Sequence, residues 1–213
     1  MDEHARWASR QRLEAAAKAL GKHGFRAVVV ETREEAAEAV LAEVPAGASV
    51  GVGGSVTIRQ LGVMERLEAR GNAVTHHWRP GVGHEDDQAW RRAEVAAEVF
   101  LCSSNAVTLS GELVNVDGIG NRVAAQIFGP GKVVFVAGVN KLCRDVADGT
   151  WRTRNVASPA NAHRLGLKLP CGLTGLCTDC DAPDRVCRAL VVLERAPSRT
   201  PTTVILVNQD LGY

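Results

Sequence analysis

Four cysteines, Cys171, Cys177, Cys180 and Cys187, fall close together in a C-x5-C-x2-C-x6-C pattern within a stretch that also holds Pro170, Gly172, Gly175 and Pro183. Two prolines and two glycines work against any regular element there, so the segment reads as a loop that something else must order. Four thiolates are a full ligand set for a structural zinc or an iron–sulfur cluster. Zinc knuckles usually supply two C-x2-C pairs. One such pair flanked by two lone cysteines is closer to a cluster-binding pattern, so iron–sulfur, in the [4Fe–4S] form, is favoured and zinc is the alternative. Disulfides are the competing explanation, and a reducing compartment would disfavour them. Cys102 and Cys143 stand apart in apolar or mixed surroundings and read as packing residues.

A second group of candidates can bind an anion. Asn115-Val116-Asp117-Gly118-Ile119-Gly120-Asn121-Arg122 places a polar, glycine-rich turn between a strand and a helix. Arg122 is the expected bidentate clamp for a carboxylate or phosphate, and Asn115, Gly118 and Asn121 are expected to bind the ligand with it, the asparagines ordering hydroxyls or water. Asp117 is either a base or a helix cap. The run Gly51-Val52-Gly53-Gly54-Ser55-Val56-Thr57 likewise follows an apolar strand. There Gly53 and Gly54 allow close backbone approach, while Ser55 and Thr57 can donate hydroxyls. It is neither a dinucleotide fingerprint nor a Walker loop, since the third glycine and the Gly-Lys-Ser/Thr are missing. Glu112 is a candidate general base or nucleophile, and Asn140-Lys141 a candidate anion partner. His76 and His77 are adjacent, so on a strand they face opposite ways and do not share a metal. His84 to Asp87, within the stretch Gly83-His84-Glu85-Asp86-Asp87, reads as a polar loop and helix start. His163 and Arg164 add basic groups just before the cysteines.

These groups need a scaffold, and the apolar periodicity supplies one. A helix is expected over 5–20, a strand over 25–30, and a helix opened by a capping box at Thr32 to Glu35. A strand follows at 48–52, and Ser55 caps a helix to about residue 67. Further strands are expected at 73–75, 99–102, 107–109, 113–116, 132–137, 190–193 and 204–207, with helices at 88–97 and 118–128. Alternation of strands with helices implies an α/β fold whose open sheet is mostly parallel, with helices on both faces. The late strands are candidates for antiparallel pairing at an edge. With no repeat or linker in 213 residues, one domain over 1–213 is expected, carrying the cysteine-rich loop at 170–188.

Hydrophobic residues make up 46% of the chain and charged ones 23%, enough apolar material for a core built on Val, Leu and Ala. A formal charge of +1 gives no case for nucleic acid as a partner. No run approaches the length of a membrane span, and the start Met1-Asp2-Glu3-His4 is unlike a secretory signal, so a cytoplasmic protein is expected.

The run Asn105-Ala106-Val107-Thr108 followed by Gly111-Glu112-Leu113-Val114-Asn115-Val116-Asp117-Gly118 and Gly120-Asn121-Arg122-Val123-Ala124 resembles the LUD-domain (lactate-utilisation) proteins. Gly53-Gly54-Ser55 and Val136 to Lys141 extend the match, and the cysteine loop is similar to that of the YkgG-like branch. The resemblance implies a fold related to ribose-5-phosphate isomerase and CoA transferases. It also implies a place in oxidation of L-lactate to pyruvate, beside iron–sulfur redox subunits. A small carboxylate or a phosphorylated compound is then the expected ligand. A stand-alone isomerase or acyltransferase with a structural zinc, using Glu112 or Asp117 as base, is the alternative, as is a non-catalytic ligand sensor.

Overall fold

The computed structural model describes residues 2–78 and 84–213, with the backbone alone at 84–86. The elements run α1 (Glu3–Lys22), β1 (Arg26–Val30), α2 (Arg33–Glu43), β2 (Ser49–Val52), α3 (Val56–Gln60), α4 (Val63–Ala69), β3 (Ala73–Thr75), α5 (His84–Val95), β4 (Val99–Cys102), β5 (Ala106–Thr108) and β6 (Leu113–Asp117). They continue as α6 (Asn121–Ile127), β7 (Lys132–Gly138), β8 (Leu142–Cys143), α7 (Val146–Arg152), α8 (Ser158–Arg164), α9 (Pro170–Thr174), β9 (Ala189–Leu193) and β10 (Thr202–Val207). Among the described residues the strands form two sheets. The larger has the order β1-β10-β7-β4-β2-β3, and every pairing in it is parallel.

The central strands show why this sheet is covered on both faces. In β7, Val134 and Val136 face one core while Val133, Phe135 and Ala137 face the other. In β10, Ile205 and Val207 pair with the first set, and Val204 and Leu206 with the second. Alternate residues point to opposite faces, and a strand buried on both sides must be apolar at every position. The first face is covered by α2, α3 and α4 through Ala36, Val40, Ile58, Val63 and Leu67. The second takes Leu13, Ala16 and Leu20 of α1, Ala125 of α6, and Val107, Leu113 and Leu193 from the smaller sheet. At roughly 25 cal/mol per Å2 of apolar area, each fully buried Leu, Ile or Phe contributes about 2–3 kcal/mol, so these two layers dominate the stability.

The mostly parallel α/β architecture is as the periodicity predicts. Other details differ for identifiable reasons. The strand over 204–207 is not at an edge: β10 lies between β1 and β7, parallel to both. Antiparallel pairing falls to β9, which joins β6 in a second sheet of order β8-β5-β6-β9. The helix after Ser55 is broken in two, because Gly62 takes a left-handed conformation (φ 62°) between α3 and α4. Ser55 does cap α3, its Oγ accepting from Ile58 N–H at 3.3 Å. Thr32 caps α2 through Glu35 N–H at 3.2 Å. The cysteine-rich segment does hold one regular element. Pro170 begins the short helix α9, where a proline has no hydrogen bond to lose, and Gly175 closes it at φ 76°. Residues 146–164 are nearly continuous helix, with a π-helical segment at Thr153–Ala157 joining α7 to α8. Of the polar run before α5, the helix start is described, while Gly83 and the side chains of 84–86 lie outside the described residues.

Candidate functional site

The carboxyl ends of β2, β3, β4, β7 and β10 meet the α7–α8 region around one cavity of about 300 Å3. Parallel sheets place ligands at this end because loops rather than helix bodies lie there. Gly54, Ser55 and Thr57 reach the cavity from the turn after β2, and His77 and Trp78 from the turn after β3. Ser103 to Asn105 follow β4, Lys141 follows β7, and Tyr213 comes from the tail after β10. Asp117, Gly118, Asn121 and Arg122 form another wall, and Ser158, Asn161 and Arg164 of α8 close the side facing them.

Lys141 is the most unusual group. Its side chain is 3% exposed, yet it touches the cavity. Nζ donates to Thr57 Oγ1 at 2.9 Å and to Ser103 Oγ at 2.8 Å. Among the described residues no carboxylate pairs with it. Burial, together with the nearby cations Arg152 and Arg122, pulls its pKa down from 10.5 to about 7. Arg152 is also buried and bonds carbonyls, donating to Asn140 O at 3.0 Å and Asn105 O at 2.5 Å. The floor of the cavity, where Lys141 and Arg122 line it, is therefore cationic, with Arg152 buried nearby and hydroxyl and amide groups beside the cations.

A histidine–carboxylate pair lies on another wall. Glu94 of α5 is fully buried, and its Oε1 accepts the backbone N–H of His77 and contacts His77 Nδ1, both at 2.7 Å. Its other oxygen accepts from Asn121 Nδ2 at 3.4 Å. With Nδ1 held by the carboxylate, Nε2 is left towards the glycine turn, where a Cβ on Gly54 would be 3.6 Å from it. α5 can sit this close to the sheet only because Gly51 has no side chain. A Cβ there would stand 2.0 Å from the carbonyl oxygen of Glu94.

The Asn-Asp-Gly segment does form a cavity wall, but its strongest groups are engaged with the protein. Asp117 accepts the N–H groups of Ile119, Gly120 and Val123 and so caps α6. Arg122 donates to Ser103 O and Asn115 Oδ1 through one terminal nitrogen, and to Asn105 Oδ1 and Val116 O through the other. Its Nε is 3.8 Å from Asp117 Oδ2. The guanidinium thus ties α6 to the β4–β5 connection and to strand β6. Asn115 is buried behind it, also accepting from Asn105 N–H, and is not among the lining residues.

Three other candidates stand apart from the cavity. Gly53 backs onto Phe100, where a Cβ would come within 2.7 Å of the ring. Asn140 pins the C-terminal tail, accepting from Leu211 N–H at 3.1 Å and donating to Gly212 O at 3.2 Å. Glu112 lies in the β5–β6 turn, where its carboxylate accepts from the Thr108 and Ser110 hydroxyls. Burial raises its pKa, but these hydrogen bonds outweigh it and hold the pKa below the ordinary value.

Ser103 lines this site, and Glu94 and Arg152 support it from behind, without having stood out in the sequence, while His77, weighed there only as half of a histidine pair, enters as the partner of Glu94. Ser103 had a readable signal, since it directly follows an apolar strand, where site residues of parallel sheets gather. Glu94 and Arg152 had none, because each acts through a partner far away in the chain.

The cysteine loop borders the same cavity. Val186 lines it and packs against Gly118. At the far end of the loop, Arg188 N–H donates to Asp117 O at 2.9 Å, which ties that end to the residue that caps α6. Cys171 is buried in a small apolar cluster with Ala162 and Leu169, against which Ala182 and Val186 pack, so the loop folds back on its own start. Burial first, and then the neighbouring Cys180, Cys187 and Cys177, push the Cys171 thiol up. Arg185 donates to Cys187 Sγ at 3.1 Å and to Cys180 O at 2.8 Å. Arg154, Arg185 and Arg188 line a cleft beside Cys187. Four thiols near one another, with arginines around them, suit a thiolate-ligated centre of net negative charge. Among the described residues, however, no group of three or more His, Cys, Asp or Glu already stands in a metal-holding geometry. The two remaining thiols are buried apart from the loop, and burial pushes Cys102 up to about 12 and Cys143 up to about 11, as inert packing thiols. Among the described residues no helix is long and apolar enough to cross a membrane.

The LUD-domain family model matches residues 13–207. Among solved structures, the fold is similar to the crystal structure of a DUF162 family protein from Deinococcus radiodurans. The TM-score is 0.51 at 15% identity, covering 95% of this chain and 98% of that one. At this identity the likeness concerns the fold alone. No curated protein matches the sequence at a significant level.

Proposed function

The chain belongs to the LUD-domain family, which is associated with lactate utilisation, and from that premise we propose that its cavity binds a small organic acid of the L-lactate and pyruvate class. The observation that carries this reading is the buried Lys141, without a carboxylate partner among the described residues, in a cavity that Arg122 also lines, with Arg152 buried nearby. A buried cation without a carboxylate is costly, and an anionic ligand supplies the missing charge. The hydroxyl of Ser55 and the side-chain N–H groups of Asn105 line the cavity and can donate to the second carboxylate oxygen and to a hydroxyl or carbonyl at C2, whereas the Ser103 hydroxyl already donates to Ser104 O and accepts from Lys141. A phosphorylated compound meets the same cationic floor and is the competing ligand class.

The chain then acts as a component of lactate oxidation to pyruvate, beside iron–sulfur redox subunits. Cys171, Cys177, Cys180 and Cys187 are the residues that would hold a [4Fe–4S] cluster, with zinc as the competing metal. Such a cluster would supply one-electron transfer. Support comes from the chemistry of the donor set and from the arginines around it. Isothermal titration with pyruvate, L-lactate and inorganic phosphate tests the cavity. Heat of binding for the two acids, absent for the uncharged lactamide, supports the reading, and a response to phosphate alone replaces it. Anaerobic purification with iron, sulfide and zinc analysis tests the loop. Iron and sulfide with a broad visible band that bleaches on reduction are expected, whereas stoichiometric zinc without colour would remove the redox role.

A further inference from the structure

We propose that Lys141 is a nucleophile that forms a reversible imine with 2-oxo acids in this cavity. The inference rests on the small-acid reading above and gives it a chemical step. Geometry sets Lys141 apart from an ordinary anion-binding lysine. Its amine is buried, touches the cavity and has hydroxyls, not carboxylates, as partners, Thr57 Oγ1 at 2.9 Å and Ser103 Oγ at 2.8 Å. Arg152 and Arg122 stand close enough to disfavour a third positive charge. Desolvation beside other cations is the usual way in which proteins keep a lysine amine neutral and reactive towards carbonyl groups. At neutral pH a substantial fraction of Lys141 is then free amine, in line with its lowered pKa of about 7.

The step balances without any redox partner. The Nζ lone pair adds to the C2 carbonyl carbon of the 2-oxo acid as the C=O π bond opens. A proton passes from nitrogen to the new oxygen, giving a carbinolamine. The C–O bond then breaks, and the oxygen leaves as water with that proton and a second one from nitrogen, so that C=N is formed. Addition of water reverses the sequence and returns lysine and 2-oxo acid. Ser103 and Thr57, which flank Nζ, can relay protons between nitrogen and oxygen, and Arg122, which lines the cavity near Lys141, keeps positive potential towards the acid's carboxylate.

The test is reductive trapping. The full-length protein is incubated with pyruvate and sodium cyanoborohydride, and pyruvate binding is measured in parallel by calorimetry. A saturable gain of about 72 Da that maps to the peptide containing Lys141 is the expected result, being the mass of one reduced pyruvyl adduct on a nucleophilic lysine. Lys141→Arg keeps the charge but lacks a nucleophile of this kind and should give no adduct. Mapping on the wild-type protein decides the matter even if that variant fails to fold, since the exposed Lys18, Lys22 and Lys168 serve as internal controls. Adducts spread over those exposed lysines would overturn the inference. Pyruvate binding without an adduct would overturn it too, while leaving the small-acid reading in place. Neither binding nor an adduct would overturn both.

Discussion

Replacing Lys141 by methionine should make the protein more stable at neutral pH, and the gain should disappear in alkali. In the folded chain burial and the neighbouring Arg152 and Arg122 lower the lysine pKa to about 7, against 10.5 for the ordinary side chain. Between those values the unfolded chain holds a proton that the folded chain has given up. Folding stability therefore rises with pH through this window, and the penalty is fully present below 7 and absent above 10.5. One pKa unit corresponds to about 1.4 kcal/mol, so the penalty amounts to roughly 5 kcal/mol at pH 7 and less than about 1 kcal/mol at pH 10. Methionine fills a similar volume without a charge but leaves the Thr57 and Ser103 hydroxyls with one partner fewer, at about 1 kcal/mol each. Lys141→Met should thus be more stable than wild type by about 3 kcal/mol at pH 7, and less stable by about 1–2 kcal/mol at pH 10. Urea denaturation of both proteins at several pH values measures this. Groups common to the two proteins, Cys102 and Cys143 among them, cancel in the difference. A stability gap that stays constant from pH 7 to pH 10 would refute the reasoning, because it would mean that Lys141 keeps its proton in the folded state.

Gly51→Ala should destabilise the fold by about 1–3 kcal/mol, because its Cβ would meet the Glu94 carbonyl and push α5 off the sheet; thermal unfolding checks this. Arg122→Ala should cost about 3 kcal/mol or more, since it frees acceptors on Ser103, Asn105, Asn115 and Val116. Unchanged unfolding with weakened ligand binding would instead mark Arg122 as a direct ligand contact. Cys177→Ser combined with Cys180→Ser should abolish metal binding on elemental analysis, and full metal retention would remove the loop as the site.

The two-faced core was legible in the sequence because fully apolar runs such as Val133 to Ala137 and Val204 to Val207 state their burial directly. What they could not state was strand order. Thr202–Val207 is late in the chain yet sits between β1 and β7, a long-range pairing that local pattern does not encode. The site was half legible for the same reason. The turns after β2 and β6 announce themselves with glycine and polar residues, and Lys141 with its place after β7. The partnership of Glu94 with His77 depends on a helix packing against a glycine at position 51, and the engagement of Arg122 depends on the β4–β5 connection and strand β6 converging on α6. Residue type alone made Arg122 a ligand clamp. Its surroundings show a guanidinium with its terminal nitrogens already bonded to the protein.

Whether a small organic acid occupies the cavity beside Lys141 is tested most directly by a crystal structure of the protein with pyruvate or its unreactive analogue oxamate. Ordered density between Lys141, Ser103 and Ser55 is expected, with the carboxylate towards the cationic floor. Water alone in that cavity at saturating ligand, or the acid bound only elsewhere on the protein, would contradict the small-acid reading.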